Sequence, residues 1–263
     1  MVPRSLVANN HIHDCGWQEV QSYLETGGIK ILLTLDSVVQ CNHIHHCHAA
    51  PGIWIDCANR NSRVCRNLLH DIAAANGAIF FEASNAPNQI DHNIIYNVEG
   101  GSGIYQRDCN RLLIAHNLIQ NCSAAGVRMR KTQHRDRVGV CKNNRVVNNI
   151  IASCPMAFDY EVMENISNYN LLSNIGEDFS LSEWQTTGLD TDSRMAKLDL
   201  AMDPRDQCLT WSSQADAVLR VHRDEYQSLD YFGRSYPGVE IPVGPFTEGW
   251  SSVCRRLRLT PNS

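Results

Sequence analysis

A short motif, Asn-x-(Ile/Leu), recurs along the first two thirds of the chain and constrains the fold more than any other feature. Its asparagines are Asn10, Asn42, Asn67, Asn93, Asn117, Asn149 and Asn170. The interval between successive motifs stays in the twenties or low thirties, which is typical of a solenoid in which each repeat forms one turn. Strand-like segments that start on a small residue, such as Gly52-Ile-Trp-Ile55, follow the motifs, and helical periodicity is absent. The sequence therefore predicts an all-β fold, a right-handed parallel β-helix solenoid of about seven coils.

Asparagine and cysteine keep the register of this repeat. An asparagine side chain can bond nearby backbone and the same residue one coil away, so we expect a structural ladder rather than sugar binding. The cysteines that hold one fixed position after a repeat asparagine are Cys15, Cys47, Cys122 and Cys154. Ile72 and Val98 hold that position in other coils, which indicates an inward apolar site where a free cysteine packs as a small hydrophobe. Pairing of stacked neighbours such as Cys15 and Cys47 under oxidising conditions stays open.

The repeat fades after residue 175. We assign residues 1–175 to the coils and residues 176–263 to a C-terminal segment of the same domain that caps the open end of the solenoid. Residues 215–226 have a pattern compatible with a short helix. Because Asn10 already belongs to a repeat, the chain opens almost in mid-coil.

Composition narrows the partners. A formal net charge of −5 and a hydrophobic content of 43% exclude a disordered chain and argue against nucleic acid, whose phosphates need a basic surface. No apolar run approaches the roughly 18 residues of a membrane span, so no membrane partner is expected. The start Met1-Val2-Pro3-Arg4-Ser5 lacks a leader peptide, and the 11 cysteines suit a reducing compartment, which together favour the cytoplasm. The oligomeric state stays open.

Aligning the coils on their strands places acidic residues one coil apart. Asp56 and Glu82 are separated by one coil period, and Asp108 follows Glu82 at the same interval. Neighbouring strands are about 4.8 Å apart, so stacked acids repel and a surface without function would avoid them. Carboxyls about 5–5.5 Å apart, one protonated and one ionised, are typical of retaining glycosidases, whereas Asp56 and Asp108 at about 9.6 Å would be at the upper edge of inverting geometry. The alternative is a solvated acidic ladder bonded to Arg107, Arg128 or Arg130.

Side chains around this acidic column are candidate substrate contacts. Trp54 and Tyr105 hold aligned positions, where they would either stack on a sugar ring or pack on each other. Arg128 and Arg130 open a basic run that suits either an acidic sugar or a solvated loop, and the run continues through Lys131, His134, Arg135 and Arg137. The predicted substrate-binding residues are Lys30, His45, Trp54, Tyr105, Asp108, Arg128 and Arg130.

The segment Cys41-Asn-His43-Ile-His45-His46-Cys47-His48 is rich in metal-ligand residue types. Its histidines follow the repeat register, and side chains alternate between the two faces of a strand, so we expect few of them to converge. The sequence therefore predicts no metal site and no cofactor.

Several segments resemble right-handed parallel β-helix glycosidases, most closely glycoside hydrolase family 120, the β-xylosidases, with family 141 nearby. They are Gly27-Gly-Ile-Lys30, Gly52-Ile-Trp-Ile-Asp56, Ser62-Arg-Val-Cys-Arg-Asn-Leu68, Phe80-Phe-Glu82 and Asp91-His-Asn-Ile94, within residues 25–125. The resemblance implies that Asp56 matches the family's nucleophile and Glu82 its acid/base. The family's Trp after the nucleophile is Cys57 here, and its Glu-Val-Asn-His-Gly-Pro run reads Glu82-Ala-Ser-Asn-Ala-Pro87. Family members are also longer, with more N-terminal coils and an added β-sandwich domain.

Together these features favour a glycoside hydrolase that acts on a plant-type oligo- or polysaccharide, a β-xyloside in particular, by a retaining two-carboxylate mechanism. Two alternatives stay open. One is a polysaccharide lyase or epimerase on the same fold, and the other is a noncatalytic carbohydrate-binding solenoid.

Overall fold

The chain winds into a parallel β-helix, as the repeat predicts. The computed structural model describes residues 2–18, 25–132, 139–203, 205–213, 219–223, 229–247 and 255–258. Three parallel sheets run along the solenoid, and each turn contributes one strand to each sheet. The described residues give about six complete turns, because the motif at Asn170 leads into a helix rather than into another strand of the third sheet.

The strands fall into the three solenoid sheets and three smaller ones. The seven-stranded sheet contains Leu6–Ala8, Val38–Gln40, Arg63–Cys65, Asn88–Asp91, Leu112–Ala115, Arg145–Val147 and Ile166–Asn168. The eight-stranded sheet contains His11–His13, His43–His48, Leu68–Ala73, Ile94–Glu99, Leu118–Cys122, Ile150–Ala152, Leu171–Ser173 and Arg194–Met195. The six-stranded sheet contains Ile29–Ile31, Ile53–Ile55, Ile79–Glu82, Ile104–Arg107, Ala125–Arg130 and Met156–Tyr160. Val2–Pro3 and Thr34–Leu35 form a parallel pair. One antiparallel sheet contains Leu198–Asp203, Cys208–Ser213 and Arg255–Arg258, and a second pairs Arg220–His222 with Glu240–Pro242.

The repeated asparagines form the turn between the seven-stranded and eight-stranded sheets. From Asn10 to Asn149, each side-chain amide donates to the amide oxygen of the next asparagine along the solenoid; the Asn67–Asn93 bond is 2.9 Å and the Asn93–Asn117 bond is 3.0 Å. The amide of Asn170, the last of the series, donates to Asp190. The residue before each asparagine has a left-handed backbone, for example Arg66 at φ 56°. The structure thus confirms the structural role predicted for these residues, because Asn93 and Asn117 are fully buried.

The solenoid interior is filled by inward-facing aliphatic residues from all three sheets. Cys47, Ile72, Val98 and Cys122 follow one another in register and are buried in this core, as their exchange pattern predicts. The ten cysteines within the described residues are free thiols. Burial raises the pKa of the Cys47 thiol to about 12, so this group is inert near neutral pH.

The C-terminal segment has two parts, one at the end of the solenoid core and one along the side of the solenoid. A helix, Leu181–Gln185, begins after the N-cap Ser180 and packs Trp184 on Phe158 at the end of the core. From Leu198 onward, the chain returns along the side of the solenoid and packs on the outer surface of the eight-stranded sheet. Its apolar residues, including Trp211 and Phe246, cover the outward side chains Leu68, Ile94, Leu118, Ile150 and Leu171. We call this part, residues 198–247, the lateral flap.

The sequence prediction assigned all of residues 176–263 to a cap. Among the described residues, those around the helix Leu181–Gln185 lie at the end of the core, and those from Leu198 onward lie along the side of the solenoid. The helix considered for residues 215–226 is also wrong where the structure describes it, because Arg220–His222 is a strand paired with Glu240–Pro242. The remainder of that range lies largely outside the described residues. Within those residues, no helix has the length and apolar character needed to cross a membrane.

A buried ion pair links the solenoid to the lateral flap. Asp91 receives two hydrogen bonds from the guanidinium of Arg63, at 2.8 and 2.6 Å, and one from His92 at 2.8 Å. Burial opposes ionisation of Asp91, but the bonds from Arg63 and His92 outweigh it and lower the pKa of this carboxyl to about 2. The other ring nitrogen of His92 lies 3.1 Å from the hydroxyl of Tyr236 in the flap.

Candidate functional site

The outer surface of the six-stranded sheet carries two parallel columns of side chains. Lys30, Trp54, Phe80, Tyr105, Arg128 and Asp159 are in register in the first column. Glu82, Arg107 and Arg130 are in register in the second, and Asp56 precedes them, because Ile55 pairs with Phe81 and Asp56 and Glu82 come next in each strand. Alternation along each strand directs both columns outward, while Ile55 and Phe81 face the core. Asp56 and Glu82 therefore lie on adjacent strands of one surface, as the sequence predicts.

Asp56 is the more accessible of the two acids. One carboxylate oxygen lies 3.1 Å from Nζ of Lys30, and the other accepts a 2.7 Å hydrogen bond from the backbone N–H of Cys57. Nζ of Lys30 also lies 2.6 Å from Glu25 and 3.6 Å from the ring centre of Trp54. Burial opposes the charge of Lys30, but its bonds to Glu25 and Asp56 outweigh this and raise the pKa of its ammonium group. Lys30 thus stays charged and fixes the orientation of Asp56.

Glu82 is covered by an arginine. Its side chain is only 3% exposed, and Oε1 accepts hydrogen bonds from Nε and Nη2 of Arg107 at 3.1 and 2.5 Å. The side chain of Arg107 is 31% exposed and also lies over the ring of Phe80. Glu82 and Arg107 thus form an ion pair with two hydrogen bonds to one carboxylate oxygen. The sequence alignment placed Asp108 next to Glu82 in the second column, where the structure has Arg107.

Asp108 does not belong to the acidic column, which corrects the predicted alignment. Glu82 is in register with Arg107, so this step is one residue shorter than the step from Asp56 to Glu82. Asp108 falls in the turn after the strand, with a left-handed backbone at φ 56°, and is fully buried. Its Oδ1 accepts a 2.6 Å hydrogen bond from the backbone N–H of Thr132. The inverting pair of Asp56 and Asp108 is therefore excluded by the register.

A consistent count in the sequence would have found Arg107. In the five coils from Gly52 onward, the second-column residue comes four positions after a small residue that lies at or next to the start of the strand. The small residues are Gly52, Ala78, Gly103, Gly126 and Ala157, and the residues four positions later are Asp56, Glu82, Arg107, Arg130 and Glu161.

The aromatic residues of the first column pack on each other and beneath cations. Trp54 contacts Phe80 with ring centres 5.2 Å apart, and Phe80 contacts Tyr105 at 5.1 Å. Trp54 and Tyr105 are only 4% and 8% exposed, with Lys30 over the first and Arg128 over the second. This favours packing over sugar stacking for both rings. The column ends in an ion cluster, since Asp159 lies 3.3 Å from Arg128 and 2.5 Å from Arg130.

His45 lies on a different sheet, so it does not border Asp56 as predicted. It stands on the outer surface of the eight-stranded sheet, in register with His13 and His70, while His11 and His43 are in register two positions earlier. The predicted basic run is described only in part, because His134, Arg135 and Arg137 lie outside the described residues.

The histidines of this second surface converge, contrary to the expectation from strand alternation. Residues two apart in a strand face the same side, and in-register strands stack them one above another. Nε2 of His11 lies 2.7 Å from Nε2 of His45, and Nε2 of His43 lies 2.8 Å from Nε2 of His70. Burial, together with the neighbouring histidines, lowers the pKa of His43 to about 3 and that of His45 to about 4. Both rings are therefore neutral at pH 7.

Comparisons with known proteins agree with the fold. A family model described as a right handed beta helix region matches residues 3–102. Among solved structures, the complex of XylC with xylose superposes with a TM-score of 0.66 at 17% sequence identity, covering 98% of this chain and 48% of that chain. The chain thus spans about half the length of that structure. A search of curated proteins gives no match. These findings establish a right-handed β-helix.

Proposed function

We propose that the chain hydrolyses a glycosidic bond, with a xyloside as the substrate class, on the outer surface of the six-stranded sheet. The observation that carries this proposal is the position of Asp56 and Glu82 on neighbouring strands, directly after the paired residues Ile55 and Phe81. Strands in a sheet are about 4.8 Å apart, and carboxyls about 5–5.5 Å apart serve the retaining mechanism. The sequence resemblance to glycoside hydrolase family 120 supports the same two residues, and the fold shared with a xylose complex is consistent with it.

Asp56 is proposed as the nucleophile. A nucleophilic carboxylate must be ionised and accessible to the anomeric carbon. Nζ of Lys30 lies 3.1 Å from one carboxylate oxygen of Asp56, the N–H of Cys57 holds the other, and the side chain is 19% exposed. Lys30 would also donate to a sugar hydroxyl, which gives it a second role in substrate binding.

Glu82 is proposed as the acid/base. This role is possible only if Arg107, which is bonded to Glu82 in the structure, moves away. The acid step requires Glu82 to donate a proton to the leaving oxygen, whereas in the structure its Oε1 accepts both hydrogen bonds from Arg107. The proposal therefore requires that Arg107 leaves Glu82 when a sugar occupies the surface. Arg107 is part-exposed, so its side chain has space to turn outward.

A noncatalytic carbohydrate-binding role is the second candidate, and one observation favours it. Three acids of this surface form ion pairs with basic side chains. These pairs are Asp56 with Lys30, Glu82 with Arg107, and Asp159 with Arg128 and Arg130. Such a surface offers a mixture of hydrogen-bond donors and acceptors to sugar hydroxyls without supplying a proton. Arg128 and Arg130 would contribute to sugar binding under either candidate function.

The two candidates differ in turnover. Wild-type protein would be assayed on a panel of aryl glycosides that includes the β-xyloside, and reducing-end release and ultraviolet absorbance would be followed on xylan-type oligosaccharides. We expect release of the aryl group, and we expect Asp56→Ala and Glu82→Ala each to abolish it. Glu161→Gln is the matched control, because Glu161 is an exposed acid on the same sheet surface.

Azide assigns the nucleophile. In Asp56→Ala, azide should restore activity and give a glycosyl azide of inverted configuration. Oligosaccharide binding without any product would refute hydrolysis in favour of the noncatalytic function. Unsaturated products that absorb in the ultraviolet would instead indicate the lyase.

A further inference from the structure

The histidines of the eight-stranded sheet form a second polar cluster, separate from the acidic surface. Two columns of stacked rings lie side by side across the first three coils. One column stacks His11 on His43 with ring centres 4.7 Å apart, and the other stacks His13, His45 and His70 at 5.3 and 4.9 Å. We call these five residues the histidine cluster.

We propose that His11, His43 and His45 form a binding site for a divalent transition metal ion, with Zn²⁺ as the ion it takes. One ring nitrogen from each of the three residues lies within 4.8 Å of the other two. Imidazole nitrogens bind zinc at about 2.0–2.1 Å, so two of them in a tetrahedral site are about 3.3 Å apart. The 2.7 Å between Nε2 of His11 and Nε2 of His45 is close to this value, and a small rotation of the two rings would open the space for the ion.

Neighbouring groups hold the rings in orientations that suit ligands. Metal-bound histidines typically hydrogen-bond through the nitrogen that does not face the ion. Nδ1 of His43 lies 3.3 Å from the side-chain amide of Gln207, and Nδ1 of His45 lies 2.6 Å from Nδ1 of His46. The Nε2 atoms of His43 and His45 therefore remain directed into the cluster.

His70 supports the site from one side. Its Nδ1 lies 2.7 Å from the carboxylate of Asp71, which fixes the ring, and its Nε2 faces Nε2 of His43 at 2.8 Å. This arrangement is the carboxylate–histidine pair found around protein-bound zinc. His70 is thus a further candidate ligand, because its Nε2 faces the same space as Nε2 of His43 while Asp71 holds its Nδ1.

The site is accessible to ions and to small ligands. His11 is exposed, His43 and His45 are part-exposed, and a groove of about 300 Å³ borders the cluster at His46 and Asp71. Three histidines with one open coordination position are typical of zinc that binds water or a small molecule. The lateral flap covers the same sheet over the later coils and reaches the cluster at Gln207. His70 is buried there, whereas His11 and His13 are exposed and His43 and His45 are part-exposed.

The test is zinc titration of metal-free protein that carries no histidine tag, in competition with a chromophoric chelator. We expect one Zn²⁺ per chain. His43→Asn and His45→Asn should each weaken binding at least about tenfold, while His222→Asn, which changes an exposed histidine of the lateral flap, should leave it unchanged. Because His43 is part-buried, far-UV circular dichroism checks its folding, and His11→Asn provides a variant at an exposed position that should weaken binding by a similar factor.

Two results would overturn the proposal. The first is zinc affinity in His11→Asn and His45→Asn equal to that of wild type. The second is a cobalt-substituted protein with a thiolate-to-cobalt charge-transfer band, which would place the ion on cysteines such as Cys15 or Cys41 instead. A d–d spectrum typical of tetrahedral nitrogen coordination, lost in His45→Asn, supports the histidine site. These measurements do not depend on glycosidase activity.

Discussion

Replacement of one asparagine of the ladder, Asn93→Ala, should destabilise the solenoid far more than the same change at the ladder's exposed end. The Asn93 amide donates to the carbonyl of Val64 at 3.0 Å and to Oδ1 of Asn117 at 3.0 Å. Its oxygen accepts from both the backbone N–H and the side-chain amide of Asn67, at 3.0 and 2.9 Å. All of these groups are buried between coils.

The magnitude follows from the groups that lose their partners. Each buried donor or acceptor left without a partner costs about 1–3 kcal/mol. Asn93→Ala leaves the backbone N–H of Asn67 and one N–H of its side-chain amide without their acceptor, whereas Oδ1 of Asn117 still accepts from the backbone N–H of residue 93. We expect a loss of about 4 kcal/mol in the free energy of unfolding, from two such groups at about 2 kcal/mol each. Asn10→Ala is the matched control: Asn10 is exposed and donates to Ala8 at 3.1 Å and Asn42 at 2.8 Å, so its loss should cost about 1 kcal/mol.

Urea denaturation followed by far-UV circular dichroism measures both variants, and equal m-values establish that the same unfolding transition is compared. The reasoning would be refuted if Asn93→Ala and Asn10→Ala differed by less than about 1 kcal/mol, the contribution of a single ordinary hydrogen bond. That result would mean that water replaces the amide between the coils, and the ladder would then be a consequence of the fold rather than a cause of its stability.

Three further changes test other parts of the structure. Arg107→Ala should cost about 2 kcal/mol of stability because it leaves Glu82 buried without this guanidinium, and the double variant with Glu82→Gln should recover part of the loss in the same urea assay. The pKa of Asp91 is about 2 in the folded chain against 3.8 ordinarily, so its ionised carboxylate adds about 2 kcal/mol to the free energy of unfolding above pH 4. This contribution is lost as pH falls from 4 to 2, and the free energy of unfolding measured across that range should therefore fall less in Asp91→Asn than in wild type. Gly126→Ala should destabilise by about 2 kcal/mol, because a Cβ there would meet Cγ2 of Ile151 inside the core, and an unchanged thermal midpoint would contradict this.

The fold could be predicted because one local interaction repeats at every turn. The asparagines mark the same corner of each coil, and their spacing gives the period without any knowledge of packing. The cysteines were placed correctly for a similar reason, because Cys47 exchanges with Ile72 and Val98 at one inward position. Such signals lie within a single coil or between adjacent coils.

The candidate site was predicted less completely because register errors of one residue invert a strand's faces. The step from Glu82 to the next coil is shorter by one residue than the step before it, and the assumption of equal steps put Asp108 on the surface when it is buried in a turn. The histidine cluster was missed because alternation was applied to neighbours in sequence, whereas His43 and His45 are two residues apart and share a face.

The lateral flap depends on contacts between distant parts of the sequence, such as that of His92 with Tyr236. The repeat pattern does not predict these contacts. A signal for it was nevertheless present. The residue directly after each ladder asparagine is histidine in the first two coils and then Leu68, Ile94, Leu118, Ile150 and Leu171. An outward position that changes from histidine to aliphatic residues marks where a covering segment begins.

The lateral flap also limits where the number of coils in this solenoid can change. Repeat proteins commonly gain or lose whole units, since each unit contacts only its neighbours. Here an extra turn in the middle would add an outward aliphatic side chain beyond those that the flap covers, and a missing turn would leave part of Trp211 and Phe246 facing water. A change in coil number is therefore compatible with this packing among the first coils, ahead of the covered residues, or together with a change in the length of the flap.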